Sequence, residues 1–445
     1  MRPPALGDGV ASGSPGIGGK LYLGSSAFLA VYLAGAAISV GVQLAMARLL
    51  GAESYGNYIY AVAWAPLFLL GCNFGLKPTV VRFVAAYNAR DQGGLLRGVV
   101  GTATRWTAIA SMVVVAIVLG VLWVARGRID NPVDALALVA LAMPFMALCE
   151  VWSSIVRGLG AVVRSQIPAS LVQQASLGIA LVGLVAVYGA HGGAVLASGA
   201  FLIASIGAML AAAWLAGGQL SRRPRDAPPQ FERRAWLHVA WGNLLIATFQ
   251  AARAPLIIVI AGAYVEAQQL AFYGAAQRLA NVMSFGLIAI SAQAAPRISG
   301  YFAVSDVDGL RRLARVASRG ALAVALATAL LMSVLGPQLL RLFGEGFEIA
   351  YVPLLVLLFG EMAAAMAGPV GFFMSMTGLH KTAAWIEGIT SAFVLLIAFV
   401  IVPRHGVLGA AIAVASGSVL RNAAMAIVVR RRLRLQGTAI KLDDA

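Results

Sequence analysis

A-R-L-L-G-A-E-S-Y-G-N-Y, residues 47–58, is a short polar interruption between two apolar runs. Gly51 and Gly56 are expected to turn the backbone there, because glycine adopts φ angles closed to other residues. Glu53 and Asn57 keep the turn hydrated. Tyr55 and Tyr58 are expected at headgroup level, where amphipathic rings prefer to lie. The same kind of interruption returns as A-G-A-Y-V-E-A-Q-Q-L-A-F-Y-G-A-A, residues 261–276, and Tyr55-Gly56 and Tyr273-Gly274 are 218 residues apart.

The runs on either side fix the class. Of 445 residues, 60% are hydrophobic and 11% charged, against about 25% charged in an ordinary soluble domain. The apolar runs are continuous over about 20 residues, which excludes an alternating β-barrel pattern and specifies a polytopic helical membrane protein. Cys72 and Cys149 both fall inside apolar runs, so no disulfide framework is expected. The net charge of +16 comes from arginines spread between spans rather than from one patch. It therefore points to membrane topology and not to nucleic acid.

Twelve transmembrane helices are expected, over residues 25–48, 57–79, 101–124, 134–155, 167–188, 192–215, 237–263, 270–294, 318–334, 349–376, 383–402 and 406–429. Segments 1–24 and 430–445 are expected to be cytoplasmic tails, the first flexible and the second basic. With the N-terminus inside, the cytoplasmic side collects 23 basic residues, including Arg222, Arg223, Arg225, Arg233 and Arg234 in one loop. The opposite side holds five: Arg48, Arg126, Arg128, Arg341 and Arg404. That bias follows the positive-inside rule and places both termini in the cytoplasm.

The repeat divides the spans evenly. Ala197-Ser198-Gly199 matches Ala415-Ser416-Gly417, again 218 residues apart. Two homologous six-helix halves follow, residues 25–216 and 237–429, joined by a basic cytoplasmic linker, 217–236. An even number of spans gives both halves the same topology, related by an axis along the membrane normal. Such halves enclose a central cavity.

Several motifs, in chain order, resemble the polysaccharide-exporter, or O-antigen flippase, branch of the multidrug/oligosaccharidyl-lipid/polysaccharide (MOP) superfamily. After residues 47–58 come R-G-L-G (157–160), F-Y-G-A-A-Q-R-L-A (272–280), A-P-R-I-S (295–299), L-F-G-E-G-F (342–347) and T-G-L-H-K (377–381). The resemblance implies a MOP/MATE-like fold in the inner membrane. It also implies translocation of undecaprenyl-pyrophosphate-linked oligosaccharide, such as an O-antigen, capsule or exopolysaccharide repeat unit. Polysaccharide polymerase and assembly proteins are the further partners it suggests. One departure stands out: where relatives carry an Asp in the seventh span, this chain has Pro255, Leu256 and Ile257, with Arg253 upstream.

Charged residues within spans are the candidate site. A charge at the bilayer centre costs roughly 2.5–3.5 kcal/mol, so it faces a cavity or a partner. Arg278 and Arg253 lie deep in their spans and are expected to bind the pyrophosphate, since a guanidinium offers paired N–H donors to phosphate oxygens. Arg48 and Arg82 are added as cavity candidates. These two, with Lys77 and Arg105, lie near span ends, where snorkelling also accounts for them. Arg421 is expected either to bind ligand or to pair within its half. Glu361, near mid-span, is the candidate for proton or sodium coupling, with ion pairing as the alternative. Glu150 and Glu387 are expected to pair with nearby cations such as Arg157 and Lys381. Pro144, Pro255 and Pro369 are candidate hinges, and Gly35 and Ser39 a small-residue packing pair.

The four histidines lack metal-ligand spacing, no Gly-rich phosphate loop is present, and neither cofactor, metal nor enzymatic activity is expected. Two other classes remain open: a cation-coupled multidrug exporter of the same superfamily, and a non-transporting scaffold for polysaccharide assembly.

Overall fold

All regular elements in the described residues are helical, as apolar segments require when their backbone groups can bond only to one another. The computed structural model describes residues 15–125, 132–221, 228–303 and 306–433. The first half comprises α1 (Pro15–Ala63), α2 (Ala65–Asn73), α3 (Leu76–Ala89), α4 (Gly93–Ala125), α5 (Val133–Gly158), α6 (Val162–Ile167), α7 (Gln173–Tyr188) and α8 (Gly193–Leu220). The second comprises α9 (Arg233–Gly262), α10 (Ala267–Ala303), α11 (Val307–Arg341), α12 (Tyr351–Ala367), α13 (Val370–Met376) and α14 (His380–Leu433). Residues 1–14, most of the linker arginines and residues 434–445 lie outside the described residues, whereas 15–24 are helical and continuous with α1.

Eight segments of the described residues are long and apolar enough to cross a membrane. Two of them, Ala27–Asn73 and Lys381–Arg431, are 47 and 51 residues long. A straight helix of that length would span about 70 Å, more than twice the hydrocarbon core. Neither is straight. Gly51 (φ 81, ψ 164) interrupts α1 and Gly406 (φ 54, ψ −134) interrupts α14. Of the two glycines expected to turn the first hinge, only Gly51 does so; Gly56 stays helical and serves another purpose, described below.

Helix limits depart from the apolar windows where charge begins. α11 covers Val307–Arg341 rather than 318–334, because its first turns carry arginines that a hydropathy window discards but a hydrated helix tolerates. Asp306 caps it, its Oδ1 accepting from Gly309 N at 2.7 Å, which satisfies one orphan donor of the first turn. Segment 57–79 is not one helix: it breaks at Phe74 (φ 44) and Gly75 (φ 69) and continues as α3. The fifth segment reaches back to Val162 through a π-helical turn, Pro168–Val172.

Packing follows small residues. On α8, Ala197, Ala200, Ala204, Ala208 and Ala212 are buried at helical spacing, forming the face on which α5 lies. In the second half α12 packs along α14, with Gly360 against Ala415. α1 runs beside α10, and α9 touches both α14 and the α2–α3 region. These two pairings form the seam between the halves. Among the polar residues of α9 and α10, Asn243, Arg278 and Asn281 face the seam.

Candidate functional site

The two interruptions that repeat along the chain meet in space. A Cβ at Gly56 would stand 1.7 Å from the Ala267 carbonyl oxygen, and one at Gly274 would stand 2.2 Å from Ile59 Cδ1. At Gly56 a fixed backbone carbonyl leaves room for hydrogen alone, whereas at Gly274 a side chain would have to displace the end of Ile59; both glycines admit the other half at van der Waals range. Tyr55, Tyr58 and Tyr273 are fully buried. Tyr55 Oη donates to Gln43 Oε1 at 2.9 Å, and its ring lies 6.5 Å from Phe347 of the second half. The tyrosines are therefore packed inside the protein rather than turned outward to lipid headgroups. Hydropathy marked them as interfacial, but the partner hinge covers them.

Farther along the same seam lies a cavity of about 410 Å³. α1 supplies Tyr32 and Ser39, the π-helical turn supplies Ser170, α7 supplies Gln174, and α10 supplies Arg278 and Asn281. Ser39 lies about 18 Å along α1 from Gly51 and Arg278 about 16 Å along α10 from Ala267, half the depth of a hydrocarbon core. Of the lining residues only Arg278 is charged, and it is exposed to the cavity. Tyr32 and Phe285 meet edge to face across the seam at 5.8 Å. The arrangement offers one guanidinium, several hydroxyl and amide groups and an aromatic pair, a set that holds an anion next to polyhydroxylated groups.

Glu361 does not line the cavity but is linked to it, accepting from Ser284 Oγ at 2.7 Å, and Ser284 is a lining residue. Arg253 is absent from the lining. It lies within electrostatic reach of Arg421, Glu387 and Glu361, and Arg421 Nη1 is 3.6 Å from Glu387 Oε1. These four form a charge-balanced group inside the second half. Glu387 thus pairs with Arg421 rather than Lys381.

The four candidate arginines do not converge. Arg48 donates from Nε to Leu342 O, bridging the end of α1 to the second half. Arg82 is exposed and lies 5.8 Å from the Phe83 ring. Both sit near helix ends, where sequence position could not separate a cavity from a surface. Glu150 takes Lys77, at 2.7 Å, in place of Arg157, whose guanidinium turns to Ser165 and Gln166. Among the described residues no group of three or more His, Cys, Asp or Glu is placed to hold a metal ion.

Gly35 is both a packing and a cavity residue, and Ser39 a cavity residue. A Cβ at Gly35 would meet Ser170 O at 2.4 Å, while both residues line the cavity. Tyr32, Ser170, Gln174, Asn281 and Ser284 had no distinguishing motif; the low apolarity of segment 277–284 was the available signal.

The linker is fastened to the first half. Gln230 N donates to Gly94 O at 2.9 Å, Tyr87 Oη to Glu232 Oε2 at 2.8 Å, and Trp236 Nε1 to Tyr87 Oη at 3.0 Å. Burial holds the Tyr87 phenol above its ordinary pKa, so it remains a donor.

Comparison with known proteins agrees with this architecture. Residues 23–302 match the model of a family described as polysaccharide biosynthesis protein. No curated protein matches the chain. Among solved structures, an inward-facing multidrug resistance MATE family transporter of the MOP superfamily superposes with a TM-score of 0.71 at 14% identity, over 92% of this chain and 98% of that one. The lipid II flippase MurJ, in an inward closed conformation, gives 0.71 at 12% identity, over 91% of this chain and 87% of that one. A MOP superfamily transporter from Pyrococcus furiosus gives 0.65 at 14%, over 93% and 95%.

Proposed function

The chain belongs to the polysaccharide biosynthesis protein family, and on that premise we propose that it is a flippase for undecaprenyl-pyrophosphate-linked oligosaccharide in the bacterial inner membrane. The observation that carries this reading is Arg278, the single charged group in a polar cavity at mid-depth between the halves. Its guanidinium binds the pyrophosphate through paired N–H donors, and Ser39, Ser170, Gln174 and Asn281 meet sugar hydroxyls. The lipid tail stays in the bilayer. Rocking of the halves about the hinge end of the seam moves the cavity from one leaflet to the other.

Twelve passes with both termini cytoplasmic fit this reading. Division of the two long segments at Gly51 and Gly406 turns eight apolar segments into ten, and α9 and α10 complete the set. The two halves, 25–216 and 237–429, are then the moving bodies and the strapped linker their joint. Glu361, reached through Ser284, is the proposed coupling residue. Polymerase and assembly proteins are proposed as partners that receive the product.

A cation-coupled multidrug exporter is the second reading, and the cavity argues against it, because a cationic drug needs a carboxylate and the lining offers a guanidinium. The test is deletion of the gene in its host. Loss of surface polymer with accumulation of the lipid-linked precursor on the cytoplasmic side is the expected result. Unchanged polymer and precursor, in a host with no second transporter, would overturn the assignment. A transport-dead variant that restores polymer would instead favour the scaffold.

A further inference from the structure

The break between α2 and α3 has the features of a ligand site that nothing above uses. Phe74 and Gly75 are both left-handed, which is ordinary for glycine and strained for phenylalanine. The break brings the carbonyl end of α2 beside Glu150 of α5, at a pocket of about 150 Å³ bordered by Asn73, Gly75, Lys77 and Pro78. Lys77 Nζ donates to Glu150 Oε1 at 2.7 Å, and Asn73 Nδ2 donates to Glu150 Oε2 at 2.5 Å. That second bond fixes the amide, with nitrogen toward the carboxylate. The remaining oxygen, Asn73 Oδ1, is buried and accepts no hydrogen bond, on a residue only 5% exposed.

Buried acceptors are nearly always satisfied. An orphan oxygen next to a carboxylate, at the negative end of a helix, lacks a positive partner. The cation now present, Lys77, neutralises Glu150 but leaves Asn73 Oδ1 unserved, and its side chain is 48% exposed. It has open solvent to move into. Hard oxygen donors with a single negative charge suit an alkali ion rather than a transition metal, which selects nitrogen and sulfur.

We propose that this helix break binds a monovalent cation of the size of sodium, with Glu150 and Asn73 Oδ1 as ligands and the Lys77 ammonium as a tethered competitor. The site is distinct from the cavity and from the charged group around Glu361, and it communicates with the seam. Gly75 O accepts from Thr79 Oγ1 at 2.9 Å, and Thr79 Oγ1 accepts from Asn243 Nδ2 of α9 at 3.0 Å. A Cβ at Gly75 would lie 2.2 Å from Ala240 O, so the break packs directly on the backbone of the second half. Cation entry and Lys77 departure therefore act on the contact between α3 and α9.

The test uses the full-length protein in nanodiscs, its melting temperature measured in sodium chloride and in choline chloride at equal ionic strength and fixed pH. Sodium is expected to raise the melting temperature of the wild type. Lys77→Gln, which removes the competitor, lowers the half-saturating sodium concentration several-fold. Glu150→Gln abolishes the shift, and Asn73→Ala, which removes the orphan oxygen, weakens it. Equal melting temperatures in the two salts for both wild type and Lys77→Gln would overturn the proposal, as would a shift that survives Glu150→Gln. No substrate enters the measurement, so its outcome is separate from that of the flippase assignment.

Discussion

The seam between the halves is built in two ways along its length. At the hinge end it is dry and tight: Gly56 lies against Ala267, Gly274 against Ile59, and Tyr55, Tyr58 and Tyr273 are buried. About 16 Å deeper along α10 it opens into a polar cavity with Arg278 exposed in it. Both ends use the same helices, α1 and α10. The difference lies in side-chain size and polarity, and it shows that one helix pair can act as fulcrum at one level and as binding wall at another.

Substitutions that strike each end separately break this comparison most sharply. Gly56→Val should have the largest effect, since its Cβ would overlap the Ala267 carbonyl and overpacking costs about 1–3 kcal/mol even where neighbours adjust. Expected are near-background surface polymer and a lower melting temperature in protein that still inserts. Normal export would mean that the hinge end is not required to close.

Arg278→Ala tests the other end. The side chain is exposed to the cavity, so stability should hold while transport falls. Loss of a charged hydrogen bond is worth about 1.5–3 kcal/mol, roughly a 10–150-fold weaker binding of the pyrophosphate. Arg278→Lys should retain part of it, because an ammonium keeps the charge but not the fork. Equal loss of stability and transport would make Arg278 structural.

Tyr55→Phe is the milder probe of the hinge end. It leaves Gln43 Oε1 without the phenol donor, at a cost of about 1–3 kcal/mol, so the melting temperature should fall with export largely retained. Smallest of all is Arg82→Ala. An exposed cation–π contact contributes about 0.5–1 kcal/mol, and polymer export should be indistinguishable from wild type. A strong export defect there would return Arg82 to the cavity.

The sequence made the helical class legible because hydropathy and length are one-dimensional properties. The repeat at 218 residues located the hinges, yet it did not say that they interlock. Tyr55 and Tyr58 carry an amphipathic signature that is identical whether lipid headgroups or a second hinge covers them. Arg278 was singled out by depth, and it is a cavity residue. Arg253, equally deep, is not, because its surroundings in the second half, Glu361, Glu387 and Arg421, come from α12 and α14, far apart along the chain. Ser170, Gln174 and Asn281 carry no motif; only folding makes them neighbours.

The central claim is most directly tested by reconstitution. Purified wild-type protein and Arg278→Ala are placed in proteoliposomes with a pyrophosphate-linked oligosaccharide in the inner leaflet, and its arrival in the outer leaflet is measured with an impermeant sugar-modifying enzyme. The account predicts transfer by the wild type and little by the variant at equal protein incorporation. Transfer at the same rate by both, or by neither above protein-free vesicles, would contradict it.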